Sequence, residues 1–310
     1  MNKLFSLGVL VKILTTMIPF AAPFIYAAIG ETFSQTSGVV NLGVDGIMLI
    51  SAYAAFYVAL NTGNLWLGLF VAALVGLLMG LLMSIISVTL KAEQGISGIG
   101  LYMFGLGLSS LLFKITIGTV KTINGFPPVK IPWLGNIPFI GPILFQNSVP
   151  VYGAFLLVPI AWWVLEKTTL GLKIKAVGQN PAAADSLGIS VDGMRYFSVC
   201  LGSALAGLAG ASLSIALVNL FQDNLTAGMG FIAVALVYFG GWSPWGVLGG
   251  ALLFSAANSF QLWVQVLGVK IPSDVAVMLP YLLTIAALTV SINRARQPAA
   301  LNKPFERGES

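Results

Sequence analysis

The chain has 310 residues, 57% of them hydrophobic and only 8% charged, against roughly 25% charged in soluble domains. Fifteen Lys and Arg with ten Asp and Glu cannot coat a soluble body of this size, so the composition reads as an all-α polytopic membrane protein. No His and a single Cys, Cys200, exclude histidine ligands and bases, internal disulfides, CxxC redox chemistry and thiolate zinc sites, and the net charge of +5 reports sidedness before it reports partners.

A spanning helix needs about 20 mostly apolar residues. Candidate spans fall at 9–30, 39–60, 65–90, 96–117, 150–166, 196–220, 229–240, 246–267 and 275–292, about nine in all. The seventh runs only a dozen residues before Gly240-Gly241, which reads as half a span or a re-entrant segment. The opening, from Lys3 to Tyr26-Ala27-Ala28, mimics a secretory signal peptide. A retained helix is preferred, because the apolar run is long, holds Pro19 and Pro23, and leads into another hydrophobic segment.

Two connections interrupt the pattern. Residues 118–149 carry Pro127, Pro128, Pro132, Pro138 and Pro142 with Trp133, and are expected to form an ordered, non-helical loop at the membrane surface. Residues 166–195 are the most polar internal stretch, with Lys167, Lys173, Lys175, Asp185, Asp192 and Arg195. The tail 293–310, with Arg294, Arg296, Lys303 and Arg307, is expected to be frayed. Residues 1–292 thus form a single transmembrane domain. Placing the 166–195 loop and the tail in the cytoplasm puts the amino terminus and the proline loop outside, and the count of spans closes. Several lysines, Lys12, Lys114, Lys121 and Lys130 among them, stay at the outer face, so the positive-inside bias is modest.

The polar loop reads in detail. Asn180 can cap a helix that starts at Pro181, where a missing N–H costs nothing. Ala182, Ala183 and Ala184 favour helix, and Gly188 suits a left-handed stop. Ser190 or Asp192 then starts the next span. Such a helix is either a handle for a cytoplasmic partner or an ordinary capped loop.

A second candidate runs from Gly30 to Gly46 and sets Glu31, Asn41 and Asp45 between apolar runs. A carboxylate at a helix centre costs about 2.5–3.5 kcal/mol on insertion scales, so Asp45 belongs in a cavity, at a helix start or in a hydrogen bond. Either Asn41 or Asp45 caps the following helix, or the group serves a pathway or gate. Small-residue spacings at Gly76/Gly80, Gly202/Ala206/Gly210 and Gly246/Gly250 indicate close helix packing. Trp242 and Trp245, in a tight turn after Gly240-Gly241, read as interfacial anchors, or else as a contact surface. No GxxxxGK[ST] loop is present, so ATP is not bound by that route. Ionisable groups fall at span ends or in loops, unlike an ion-coupled carrier, so energy is expected to come from outside the chain.

These motifs together resemble one family. Gly30-Glu31 with Ser37 to Gly46 (SGVVNLGVDG) is similar to the early signature of permease subunits of bacterial ABC importers, and more narrowly of nucleoside-type permeases that work with basic-membrane-protein lipoproteins. These belong with the ribose and branched-chain amino-acid permeases. Thr169 to Ile189 (TLGLKIKAVGQNPAAADSLGI) resembles that group's cytoplasmic coupling segment, Ile131 to Phe145 its outer loop, and Phe231 to Leu236 with Pro244 and Gly246 its late broken span. Departures are mild: Lys173 and Lys175 stand where Arg is frequent, Asp45 where Glu is expected, and Gln179 where an acid is frequent.

The resemblance implies an inner-membrane importer permease for nucleosides or a related small polar solute, without catalysis, cofactor or metal of its own. Sugar or branched-chain amino-acid import, a stand-alone secondary carrier, and a structural or assembly protein are the alternatives. It implies a separate ATPase subunit, a second permease subunit (identical or related), an extracytoplasmic substrate-binding lipoprotein and surrounding lipid, and no nucleic acid. The ATPase contact is expected on Asn180 to Gly188, namely Asn180, Pro181, Ala182, Ala183, Ala184, Asp185 and Gly188, with Gly178, Lys173 and Lys175 flanking. A charge placed at Ala183 or Ala184 is expected to uncouple transport without unfolding the protein. Glu31, Asn41 and Asp45 are the pathway or gating candidates.

Overall fold

From Ala21 to Asn41 every residue is buried. A helix covered on all sides sits in the middle of a bundle rather than on its surface. That is the position of α1 (Leu7–Thr36), which packs against four later helices. The segment that mimics a signal peptide is therefore a central structural helix. The structure is a computed structural model that describes residues 7–267 except 131, 133, 134, 136, 138 and 139, then the isolated positions 278, 282, 285 and 289, and residues 297–307.

The other long helices are α2 (Val44–Thr62), α3 (Leu65–Ser84), α4 (Gln94–Thr116), α6 (Val149–Lys167), α9 (Val191–Ala211) and α11 (Pro244–Val266). The shorter ones are α5 (Ile140–Leu144), α7 (Thr169–Gln179), α8 (Pro181–Ser186) and α10 (Met229–Phe239). α3 and α9 each run on through a π-helical turn, at Ile85–Thr89 and Ser212–Leu217. Among the described residues, seven helices are long and apolar enough to cross a membrane, and α10 is too short. The expected ninth span, 275–292, lies outside the described residues apart from the isolated positions, as do Lys3, Trp133, Pro138, Arg294 and Arg296.

α9 is the second central element and packs on α1, α2 and α3. The small-residue spacing explains how. Gly30 of α1 meets Gly202 of α9 so closely that a Cβ on either would press into the other's backbone. On another face of α9, a Cβ on Gly76 would stand 3.0 Å from the Gly207 Cα. Between lipid-solvated helices, close packing of this kind replaces the hydrophobic drive available in water. Hydroxyls add to it: Ser255 and Ser259 of α11 donate to the Met17 and Ile13 carbonyls of α1.

The two ends of the bundle differ. At one, the loop after α4 covers the exit of α9: Phe126 donates its backbone N–H to Ile215, and Thr122 bridges Leu220. This loop is more structured than expected, with a short antiparallel pair, β1 (Val129–Lys130) on β2 (Gln146–Asn147), and the single turn α5. Pro142 is tolerated in α5 because it falls in the first turn, where an N–H has no helical partner. At the other end lie α7, α8 and the tail. Residues 297–307 are not frayed: Ala300 and Leu301 are buried, and Ala300 N donates to the Gly178 carbonyl at 2.9 Å.

Candidate functional site

Polar residues are concentrated in the last turns of α1 and the turn that follows. Glu31, Thr32, Ser34, Gln35, Ser37 and Asn41 are all buried. Buried polar groups are mostly hydrogen bonded: Thr32, Ser34 and Ser37 donate to nearby backbone carbonyls, while Glu31, Gln35 and Asn41 are linked in a chain. One Glu31 oxygen accepts from Gln35 Nε2 at 3.1 Å and from the Asn41 backbone N–H at 3.0 Å. Gln35 Oε1 in turn accepts from the Trp242 indole N–H at 2.9 Å. Asn41 Nδ2 donates to Ser203 Oγ of α9 at 3.4 Å, and Gln94 of α4 accepts the Val40 N–H at 2.8 Å. Ser203 lies roughly 18 Å along α9 from Val191 at 1.5 Å per residue, so the cluster sits within the span and not at its mouth.

Asp45 adjoins this cluster. The expectation that Asn41 or Asp45 caps its own helix is corrected: the N-cap of α2 is Gly43, with no side-chain cap bond. Asn41 Oδ1 instead accepts from Gly43 N two residues on, a local turn. Asp45 reaches across to another helix. Its Oδ1 accepts from Gly230 N at 2.8 Å and its Oδ2 from Thr226 Oγ1 at 3.0 Å. The carboxylate thus caps α10, whose first turn would otherwise leave donors unpaired inside the bundle. The approach is tight, since a Cβ at Gly230 would stand 2.7 Å from the Asp45 Cβ.

Before α10 the chain is not helical. Asn219, Asn224, Ala227 and Gly228 take left-handed backbone angles between α9 and α10. The segment enters beside Tyr53 and Phe113, where Phe221 packs, and reaches Asp45 at Thr226. The short seventh segment is therefore an irregular stretch followed by the eleven-residue helix α10. Within this irregular stretch only Phe221 and Thr226 are buried, whereas Gln222, Asp223, Asn224 and Ala227 are exposed. Trp242, expected as an interfacial anchor, is buried and bonded to Gln35, whereas Trp245 is exposed.

The α7–α8 region forms the second part of the site. Thr168 caps α7 through Gly171 N, and Asn180 both ends α7 and caps α8, its Oδ1 accepting from Ala183 N at 3.0 Å. Gly188 is left-handed at φ 78°, and Ser190 Oγ caps α9 through Gly193 N at 3.2 Å. Ala182 and Ala183 are exposed, and Leu187 stands 80% exposed at the tip. Other expected contact residues face elsewhere. Gly178 is buried against the Thr36 carbonyl, and Ala184 is buried with Val177 and Val191, so a charge there perturbs packing rather than a surface. Lys175 pairs with Glu166, while Lys173 is exposed. Asp185 accepts two hydrogen bonds from Arg307, at 2.8 and 2.7 Å, and this donor holds its carboxyl below the ordinary Asp value. Arg195, read from the sequence as part of a polar loop, lies inside α9 at 1% exposure, beneath Gly38.

Sequence reasoning missed α7, Gln35, Thr226 and the docked tail. The Thr168 cap signal could have found α7. Nothing local marks Thr226 as the partner of Asp45, 181 residues away.

Among the described residues, seven helices long and apolar enough to cross a membrane, with a buried polar chain among them, define a multi-pass membrane protein. Residues 13–288 match the family described as branched-chain amino acid transport system / permease component, and the chain belongs to it. It is 37% identical to the guanosine ABC transporter permease protein NupQ of Bacillus subtilis, across 97% of this chain and 99% of that protein. It is 35% identical to the nucleoside ABC transporter permease protein NupC of Lactococcus lactis subsp. cremoris, across 93% and 94%. It is also 35% identical to the putative glucose ABC transporter permease protein TsgC13 of Haloferax volcanii, across 95% and 97%. The chain is an ABC transporter permease subunit of the cytoplasmic membrane, and ATP hydrolysis resides in a separate subunit.

Proposed function

We propose that this permease passes nucleosides into the cell, with α8 as the contact for the ATPase. The solute class rests on one observation: the two relatives named for guanosine and nucleosides match nearly end to end. Sugar import is the second reading, favoured by the relative named as a putative glucose permease, which matches as fully as the nucleoside permease NupC. In this scheme the ninth crossing is 275–292, and α7, α8 and the tail lie in the cytoplasm. The loop 118–149 lies outside, where a substrate-binding lipoprotein docks, and a second permease subunit lies alongside. Glu31, Asn41 and Asp45 act as a gate, because they join the turn after α1 to the break before α10.

The contact on α8 is its open face, Ala182, Ala183 and Leu187. The test is Ala183→Asp in the assembled transporter, followed by nucleoside uptake and ATP hydrolysis. Loss of uptake with normal abundance and continuing hydrolysis supports the contact; wild-type uptake removes it. Uptake that survives inactivation of the ATPase site would overturn the importer reading in favour of a secondary carrier. Uptake of labelled glucose, with none of labelled nucleoside, would transfer the solute class to sugars.

A further inference from the structure

We infer that residues 297–307 form a brace that fixes α8 to the membrane body and makes it rigid enough to transmit thrust. The inference rests on the reading of α8 as the ATPase contact. A six-residue helix cannot hold itself in water, because the first turn costs more order than its few bonds return. α8 buries only Ala184, in a small cluster with Val177 and Val191, and Phe305 of the tail packs on that cluster. On either side of Phe305 the tail is tied down. Arg307 grips Asp185 through two parallel bonds, a geometry that fixes orientation as well as distance. Lys91, after α3, pairs with Glu306 at 3.0 Å. Further back, Asn302 N donates to the Gly38 carbonyl at 3.1 Å and Ala300 N to Gly178.

The brace therefore spans from α8 to Gly38, the start of the turn that carries Asn41 into the polar cluster. It touches the inner side of α8 and leaves Ala182, Ala183, Ser186 and Leu187 open. A lid over the contact would have covered that outer side instead. Sequence signals for this are absent, because each tie joins residues more than a hundred apart.

The experiment uses the full transporter with its ATPase and lipoprotein, reconstituted in liposomes, and reads solute moved per ATP hydrolysed. Arg307→Asp and Asp185→Arg, each alone, are expected to lower that ratio about fivefold while the ATPase still co-purifies. The exchanged pair, Asp185→Arg with Arg307→Asp, is expected to restore it, which loss of a merely structural surface contact would not do. Phe305→Ala gives a second perturbation that leaves the charges intact and is expected to lower the ratio as well. Wild-type ratios in both the single reversals and Phe305→Ala would overturn the brace. So would a rise in ATPase binding or uptake on deletion of 297–307, which would make the tail a lid. Ala183→Asp in the same preparation separates the two readings. If it uncouples while the tail variants do not, only the brace fails; if it is also silent, the α8 contact fails.

Discussion

The reach of Asp45 from α2 to α10 makes a quantitative prediction. Asp45 and Thr226 are fully buried, so no water can replace a lost partner. Asp45→Ala leaves the Gly230 N–H and the Thr226 hydroxyl unpaired, at about 1–3 kcal/mol each, or about 2–6 kcal/mol together. Asp45→Asn behaves differently. Its Oδ1 can accept from Gly230 N, and its amide can donate to Thr226, whose hydroxyl accepts as readily as it donates. The Asn variant is therefore expected to lose less than half as much stability as the Ala variant. Because the two residues share one bond, Asp45→Ala with Thr226→Ala is expected to cost less than the sum of the single changes. Thermal denaturation of detergent-purified protein, followed by size-exclusion, ranks these variants, and uptake by membrane vesicles is measured beside it. Equal destabilisation by Asn and Ala, or a stable Ala variant, would refute the capping argument. A stable Asn variant that has lost uptake would show that the negative charge itself serves passage, beyond the cap.

Two other perturbations test the packing on which the site stands. Gly178→Ala puts a methyl 2.9 Å from the Thr36 carbonyl carbon and nearer still to its oxygen, both backbone atoms that cannot rotate away, so α7 must lift from α1. It is expected to lower stability by about 1–3 kcal/mol, seen as reduced abundance or an earlier thermal transition, with a neighbouring exposed change such as Lys173→Ala silent. Trp242→Phe keeps the ring but removes the indole donor to Gln35 Oε1, leaving a buried acceptor unpaired at a cost of about 1–3 kcal/mol. An unchanged thermal transition in that variant would place Gln35 outside the polar chain.

The polar chain ties distant parts of the sequence together inside the bundle. Glu31 holds the Asn41 backbone, Asn41 holds Ser203 on α9, and Gln35 holds Trp242 in the turn before α11. α1, the turn after it, α9 and the turn before α11 are thereby tied together. Bonds of this kind have discrete alternatives, made or broken, which is what a two-state transport element requires.

What composition and periodicity determined by themselves was local and one-dimensional: the membrane class, seven of the expected spans, the interruption at Gly240, the Asn180 cap and the left-handed Gly188. Each follows from a residue and its near neighbours, through hydropathy, a missing N–H or a permitted backbone angle. Tertiary structure decided which of two ends of a bond a polar residue would serve. Asp45 looked like a cap for α2 and caps α10; Arg195 looked like loop and is core; the tail looked free and is docked. In all three the outcome turned on a partner more than a hundred residues away, or on burial under such a partner. Spacing along the chain carries no record of such a meeting, because burial and hydrogen-bond satisfaction are properties of the folded bundle alone.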